Sequence, residues 1–235
     1  MVLAATGALA AERDIAPGGT LRAVYLANNP AQAVQDKATG AIRGVSADLA
    51  RELGRRLDIP VQIVPTASPK AVIDAVANNE ADIGFVAYAP ERVGTVEFSQ
   101  VYMLVQQSFI VPESSPIKSV KDIDAAGLRI SGGAGDSVTL YMKRKLKRAT
   151  LIETDNTPED AKRKFAAGEI DAFGANRQRL TNLMKDAAGF RILPDNLFGR
   201  AADHHRQKGR GGAARHPQPF YRRRARVRPA AKRHR

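Results

Sequence analysis

Apolar residues along the chain fall into two kinds of run, short continuous blocks and stretches with four-residue spacing, and the two kinds take turns. Thr20 to Ala27, TLRAVYLA, alternates as a strand does and leads into the loop signal Asn28-Asn29-Pro30. Asp36 to Gly40 reads as a surface turn. Val45, Leu49, Leu53 and Leu57 then recur every fourth residue, which predicts a helix with one buried face and with Arg51, Arg55 and Arg56 outside. Val61 to Val64 is a second strand, expected to stop at Pro65. Ser68-Pro69 supplies an N-cap followed by proline at the first helical position, opening a helix through Val72, Ile73 and Val76. Asn78 to Asp82 closes that helix. Ile83 to Val86 has the length and composition of a buried strand, broken at Ala89-Pro90. Strand, helix, strand, helix, strand is the pattern of a parallel sheet covered by helices.

A second series follows. Gln106 to Val111 is strand-like and ends at Pro112, and the loop Glu113 to Pro116 marks a boundary between lobes. Beyond it come a strand at Leu128 to Ile130, a glycine-rich loop SGGAGDS at residues 131–137, and a helix from Val138 to Leu146. Leu151-Ile152 is followed by a helix from Pro158, capped by Thr157 with Glu159 and Asp160 in its first turn. Ile170 to Phe173 is another strand and Asn176 to Met184 another helix. The expected fold class is therefore α/β, with two series of strands and helices.

Charge changes this picture only at one end. The formal net charge is +13, yet residues 201–235 hold 12 Lys/Arg against the single acid Asp203, whereas residues 1–200 hold 25 against 23. The body is near neutral, so its charge gives no reason to expect a specific nucleic-acid partner. Residues 200–235 lack periodicity and are read as a basic segment that does not fold by itself. Read one nucleotide later, the codons from Asp203 permit an apolar strand and those from His216 an amphipathic helix, so this segment is expected to be a frameshift product. At the other end, MVLAATGALAAERD with Ala8-Leu9-Ala10 reads as the remnant of a secretory signal over residues 1–17, and places the protein in the periplasm. No later apolar run approaches the roughly 18 residues of a membrane span.

The chemistry is also bounded. There is no cysteine, and all four histidines lie beyond residue 200. The usual nitrogen and sulfur zinc set and a histidine-based triad are thus outside the body's means, and neither a metal nor a cofactor is expected. Two features stand out. Arg92 follows a strand directly, at the sheet edge where open α/β sheets bind ligands, and a guanidinium there can grip a carboxylate through two parallel hydrogen bonds. The glycine loop, ending at Asp136 and Ser137 before a helix, lets backbone approach a partner closely. It is not a P-loop, because no Gly-Lys-Ser/Thr follows.

The stretch ADIGFVAYAPERVGTVEFSQVY, with its Pro-Glu-Arg turn followed by Phe98-Ser99 and Tyr102, resembles the signature of the family 3 extracellular solute-binding proteins, the receptors of polar amino-acid ABC importers. The helix entered at Gly44 to Asp48 and the turn at Asn78 to Asp82 fit the same family, over roughly residues 18–199. The resemblance implies a periplasmic-binding-protein-like (type II) fold, in which two α/β lobes joined by a hinge close on a ligand. Lobe one would be residues 18–112 and lobe two 113–192, with a return towards lobe one starting at 193–199. It implies Arg92 on a ligand carboxylate, Ala87 and Tyr88 beside it, Tyr25 and Asn28 from the first strand's edge, and Asp136, Ser137 and Asn176 from the other lobe. Asp48 would be structural, near the lobe interface. Two departures concern the ligand: Ala89 stands where amino-acid binders commonly carry threonine, and Asn176 where they commonly carry an aspartate for the ligand's ammonium. The implied partners are a small amino acid or organic acid and an ABC permease, for a monomeric, non-catalytic protein. The alternative is a secreted cyclohexadienyl dehydratase-like enzyme on the same fold.

Overall fold

The computed structural model describes residues 15–155, 157–185 and 188–197. Residues 1–14 of the expected signal remnant and the whole basic segment, residues 200–235, lie outside the described residues, while Ile15 and Ala16 of that remnant pack into the first core. Two separate sheets organise the rest. The first is parallel and three-stranded, β1 (Leu21–Leu26) lying between β4 (Val61–Thr66) and β5 (Ile83–Phe85). A short hairpin, β2 (Val34–Gln35) with β3 (Ile42–Arg43), brackets the predicted turn at Asp36 to Gly40.

Helices α1 (Val45–Leu57) and α2 (Pro69–Ala77) cover opposite faces of the first sheet. Leu21, Ala23 and Tyr25 of β1 pack on the α1 side with Ala47 and Ala50, while Val24 faces Val72 and Val76 of α2. A strand covered on both faces reads as a near-continuous apolar run, as β1 does. In α1 the deepest positions are small: Ser46, Ala47, Ala50 and Gly54 are buried, Leu49, Leu53 and Leu57 flank them, and Val45 is exposed. Asp48 is an exposed first-turn acid paired with Arg51 at 3.3 Å. The Ser68 cap is as expected, its Oγ accepting from the Ala71 amide at 3.2 Å. Pro65, expected to end its strand, continues it: β4 lies at the edge of the sheet, where a residue without an N–H leaves no ladder bond unmade.

The second sheet is mixed and five-stranded, in the order β10 (Phe190–Ile192), β6 (Gln107–Pro112), β9 (Ala172–Asn176), β7 (Arg129–Gly133), β8 (Thr150–Thr154). β7 runs parallel to β8 and β9, and β6 runs antiparallel to β9 and β10. The strand expected to finish the first lobe thus belongs to the second sheet. Both of its faces are covered, Phe109 and Val111 packing into one cluster and Ile110 into another, so its sequence carries no facial alternation to reveal its neighbours. Helices α3 (Ser137–Lys145), α4 (Pro158–Ala166) and α5 (Arg177–Met184) complete this half. Part of the predicted glycine loop is strand: a Cβ on Gly132 would stand 2.5 Å from Thr139 Oγ1, so glycine there lets α3 sit against β7. Among the described residues, no helix is long and apolar enough to cross a membrane.

Candidate functional site

The carboxyl ends of β1, β5, β7 and β9 meet where the two sheets face each other. From the first sheet, the chain leaves β5 at Phe85 and turns through a 3₁₀ segment, Pro90–Arg92, with proline at its first position. That turn brings Arg92 back under the chain, and its side chain is buried. The guanidinium donates to the Ala87 carbonyl on its own side. It also donates to the Gly135 carbonyl of the other half, at 2.6 Å.

From the second sheet, β7 ends at Gly133 and the chain enters α3 through Gly135, whose φ of +73° is one that glycine adopts without strain. Asp136 is the N-cap residue of α3, but its side chain makes no capping bond; Oδ2 accepts from Arg179 at 2.8 Å. Arg179 is buried on the first turn of α5, its guanidinium 5.7 Å from the centre of the Phe173 ring. Burial pushes the Asp136 carboxyl above the usual carboxylate range, while the positive charges of Arg179 and Arg92 act in the opposite direction. Ser137 Oγ accepts from Gln107 Nε2 at 3.0 Å. Asn176 ends β9 and caps α5: its Oδ1 accepts from the Arg179 amide at 2.9 Å, and its Nδ2 donates to Asn29 Oδ1 across the gap at 3.2 Å. At the rim, Glu91 and Arg144 form an ion pair between the halves. Burial, the largest single influence, pushes the Glu91 carboxyl up, but a backbone hydrogen bond, Arg144 and the charge of Arg92 together hold it below its ordinary range.

The junction therefore gathers Arg92, Asp136 and Asn176, three residues singled out from sequence, around contacts that join the two sheets. Ser137 lies beside them, tied to β6. Ala87 contributes a carbonyl to Arg92. Tyr88 is half exposed, its ring edge-on to Phe98 at 5.1 Å. Tyr25 is enclosed within the first sheet's core beside Phe85, so its ring serves packing there. Asn28 is half-buried, and it is its neighbour Asn29 that reaches Asn176. Sequence reasoning missed Arg179 and Gln107. One signal for Arg179 was available: a cation on the first turn of a helix opposes the helix dipole, and a nearby anion compensates it. Among the described residues there is no cluster of His, Cys, Asp and Glu that could hold a metal ion.

Two α/β sheets with their covering helices, meeting through direct contacts at their carboxyl ends, fit the periplasmic-binding-protein-like class of type II. The profile of the bacterial extracellular solute-binding proteins, family 3, matches residues 21–215, and the chain belongs to that family. It is similar to a glutamine-binding protein of Geobacillus stearothermophilus, 28% identical over 167 residues. That match takes in 69% of this chain but 62% of the relative, so the chain spans less than two thirds of that protein's length. Among solved structures, it resembles a binding component of an ABC transporter from Wolinella succinogenes DSM 1740 complexed with lysine. The TM-score is 0.64 and the identity 26%, over 77% of this chain and 79% of that one. It also resembles an ancestral amino acid-binding protein, a precursor of cyclohexadienyl dehydratase. There the TM-score is 0.63 and the identity 25%, over 79% of this chain and 81% of that one.

Proposed function

We propose that the cleft binds a small carboxylate-bearing solute, an amino acid or related organic acid, and that the protein hands it to the permease of an ABC importer without altering it. Arg92 carries this reading: a buried guanidinium at the carboxyl edge of a parallel sheet is placed to exchange its carbonyl partners for a carboxylate, a stronger, charge-assisted acceptor. Asn176, Ser137 and the backbone of the turn at Gly135 and Asp136 close on the solute from the second lobe, and the exposed Tyr88 lies against its body. Lobe one would run from residue 18 to Gln106 and lobe two from β6 to residue 197, because residues 193–197, expected to begin a return to lobe one, are tied to the second half by the Ser119–Asp195 bond and by the packing of Leu193 and Leu197. The protein would act as a monomer outside the inner membrane, as the extracellular family and the glutamine-, lysine- and amino acid-binding relatives suggest. A thermal-shift screen of amino acids and small carboxylates tests it. At least one should raise the melting temperature of the parent, and Arg92→Ala should abolish that rise; an unchanged rise in the variant rejects Arg92 as the anchor.

The likeness to a precursor of cyclohexadienyl dehydratase supports a second reading, an enzyme of that kind. Incubation with prephenate or arogenate decides between them: product formation supports the enzyme, and binding without turnover supports the receptor.

A further inference from the structure

We infer that Arg179 is a positioning residue for the solute site: it holds the carboxylate of Asp136 in the second lobe and so keeps that carboxylate from occupying Arg92. This rests on the reading of Arg92 as the solute's anchor. Asp136 adjoins Gly135, whose carbonyl already bonds to the Arg92 guanidinium at 2.6 Å, so the acid is one residue away from the cation that a solute carboxylate needs. Arg92 and Arg179, one from each lobe, both act electrostatically on Asp136. Its ion-pair geometry is with Arg179, at 2.8 Å, with both side chains largely shielded from water.

Three features show that the pairing directs Asp136. As the N-cap of α3, its side chain would ordinarily accept from the amides of the first turn, yet it makes no such bond. Arg179 stands on the first turn of α5, where the helix dipole disfavours a cation, and the acid offsets that cost. The arginine is itself fixed from two sides, by the Phe173 ring and by its backbone amide on the Asn176 cap. Without Arg179, Asp136 would be a buried carboxylate whose nearest remaining cation is Arg92. An internal carboxylate on Arg92 competes directly with a carboxylate from solution.

The test uses the full chain with L-glutamine as the calorimetric probe, together with crystallography of the variants. Arg179→Met should lower the affinity about tenfold or more, the scale of losing a buried charged contact. Adding Asp136→Asn to it should bring the affinity back to within about threefold of the parent, because the competitor is gone. A purely structural role predicts no such rescue, and its absence overturns the proposal. The crystal structure of Arg179→Met should show Asp136 bonded to Arg92; an Asp136 that keeps its parental direction or turns to solvent overturns it whichever solute the protein binds. If Arg179→Met does not fold, Arg179→Gln, which keeps a donor, replaces it with the same expectations reduced in size. Should L-glutamine fail to bind the parent, the choice of solute is wrong, and the crystal structure alone decides the role of Arg179.

Discussion

The two sheets are fastened at their amino ends by the same device and differ in everything added to it. In the first, Arg22 at the start of β1 bonds to Asp82 just before β5, at 2.7 Å, and to the Asn79 carbonyl. In the second, Arg129 at the start of β7 bonds to Asp171 just before β9, at 2.8 Å, and to the Gly168 carbonyl. Asn79 and Gly168 share a left-handed turn, with φ of 63° and 62°. The helix leading to each turn opens on a hydroxyl cap and a proline, Ser68-Pro69 and Thr157-Pro158. A common βαβ unit thus underlies both lobes. Only the second adds the antiparallel strands β6 and β10, and it supplies the glycine turn and the Asp136–Arg179 pair, while the first supplies Arg92 and Asn29. The shared part builds the sheets; the unshared parts build the cleft.

The largest structural effect expected from this comparison separates the two fasteners. The Asp82 side chain is 5% exposed and that of Asp171 is 29% exposed. Asp82→Ala should therefore cost about 2–3 kcal/mol, because it removes a buried carboxylate that accepts from the Arg22 amide and guanidinium, and Asp171→Ala about 1 kcal/mol, because the carboxylate it removes is already partly in water. Urea unfolding of the two variants measures the difference, and equal losses would mean that burial does not distinguish the lobes.

The helix caps should come next and should match. Ser68 and Thr157 each accept from a first-turn amide at 3.2 Å, so Ser68→Ala and Thr157→Ala should each cost about 1 kcal/mol in the same unfolding assay.

Acid should sharpen the contrast further. The hydrogen bonds from Arg129 hold the Asp171 carboxyl below its ordinary range. A carboxylate depressed by folding contributes stability that is present above its unfolded pKa, near 4, and is lost as pH falls through its folded value. The melting temperature should therefore decline on acidification below about pH 4, and Asp171→Asn should flatten part of that decline.

The smallest effect belongs to the rim. Glu91→Gln should change stability by about 0–1 kcal/mol and should lose even that at high salt, since the pair with Arg144 is partly exposed.

How much of this could be read from sequence follows from the range of each interaction. The caps at Ser68 and Thr157, the helices after them and the position of Arg92 beyond a strand are local, and their signals lie within a few residues of one another. β6 was legible as a strand but not as a member of the second sheet, because its partners lie some 65 to 80 residues further along the chain. β2, β3 and β10 are too short for a period to register. Pro65 misled because a proline's effect depends on edge position, which only the assembled sheet defines. Arg92 was recognisable by its place beyond a strand and Asp136 and Asn176 through the family resemblance, whereas Arg179 was not, because its role exists only once α5 has been brought against the turn before α3. Tyr25 was read at the sheet edge beside a ligand, but β1 is covered on both faces, and α1 encloses the face that carries Tyr25.

The central claim is that the Arg92 guanidinium holds a carboxylate from solution in the cleft between the lobes. Its most direct test is a coupling measurement by calorimetry: a bound amino acid or organic acid is compared with its carboxamide, in the parent and in Arg92→Ala. The account predicts that the carboxamide loses most of the affinity in the parent and that acid and carboxamide bind alike in the variant. Equal binding of acid and carboxamide by the parent would contradict it.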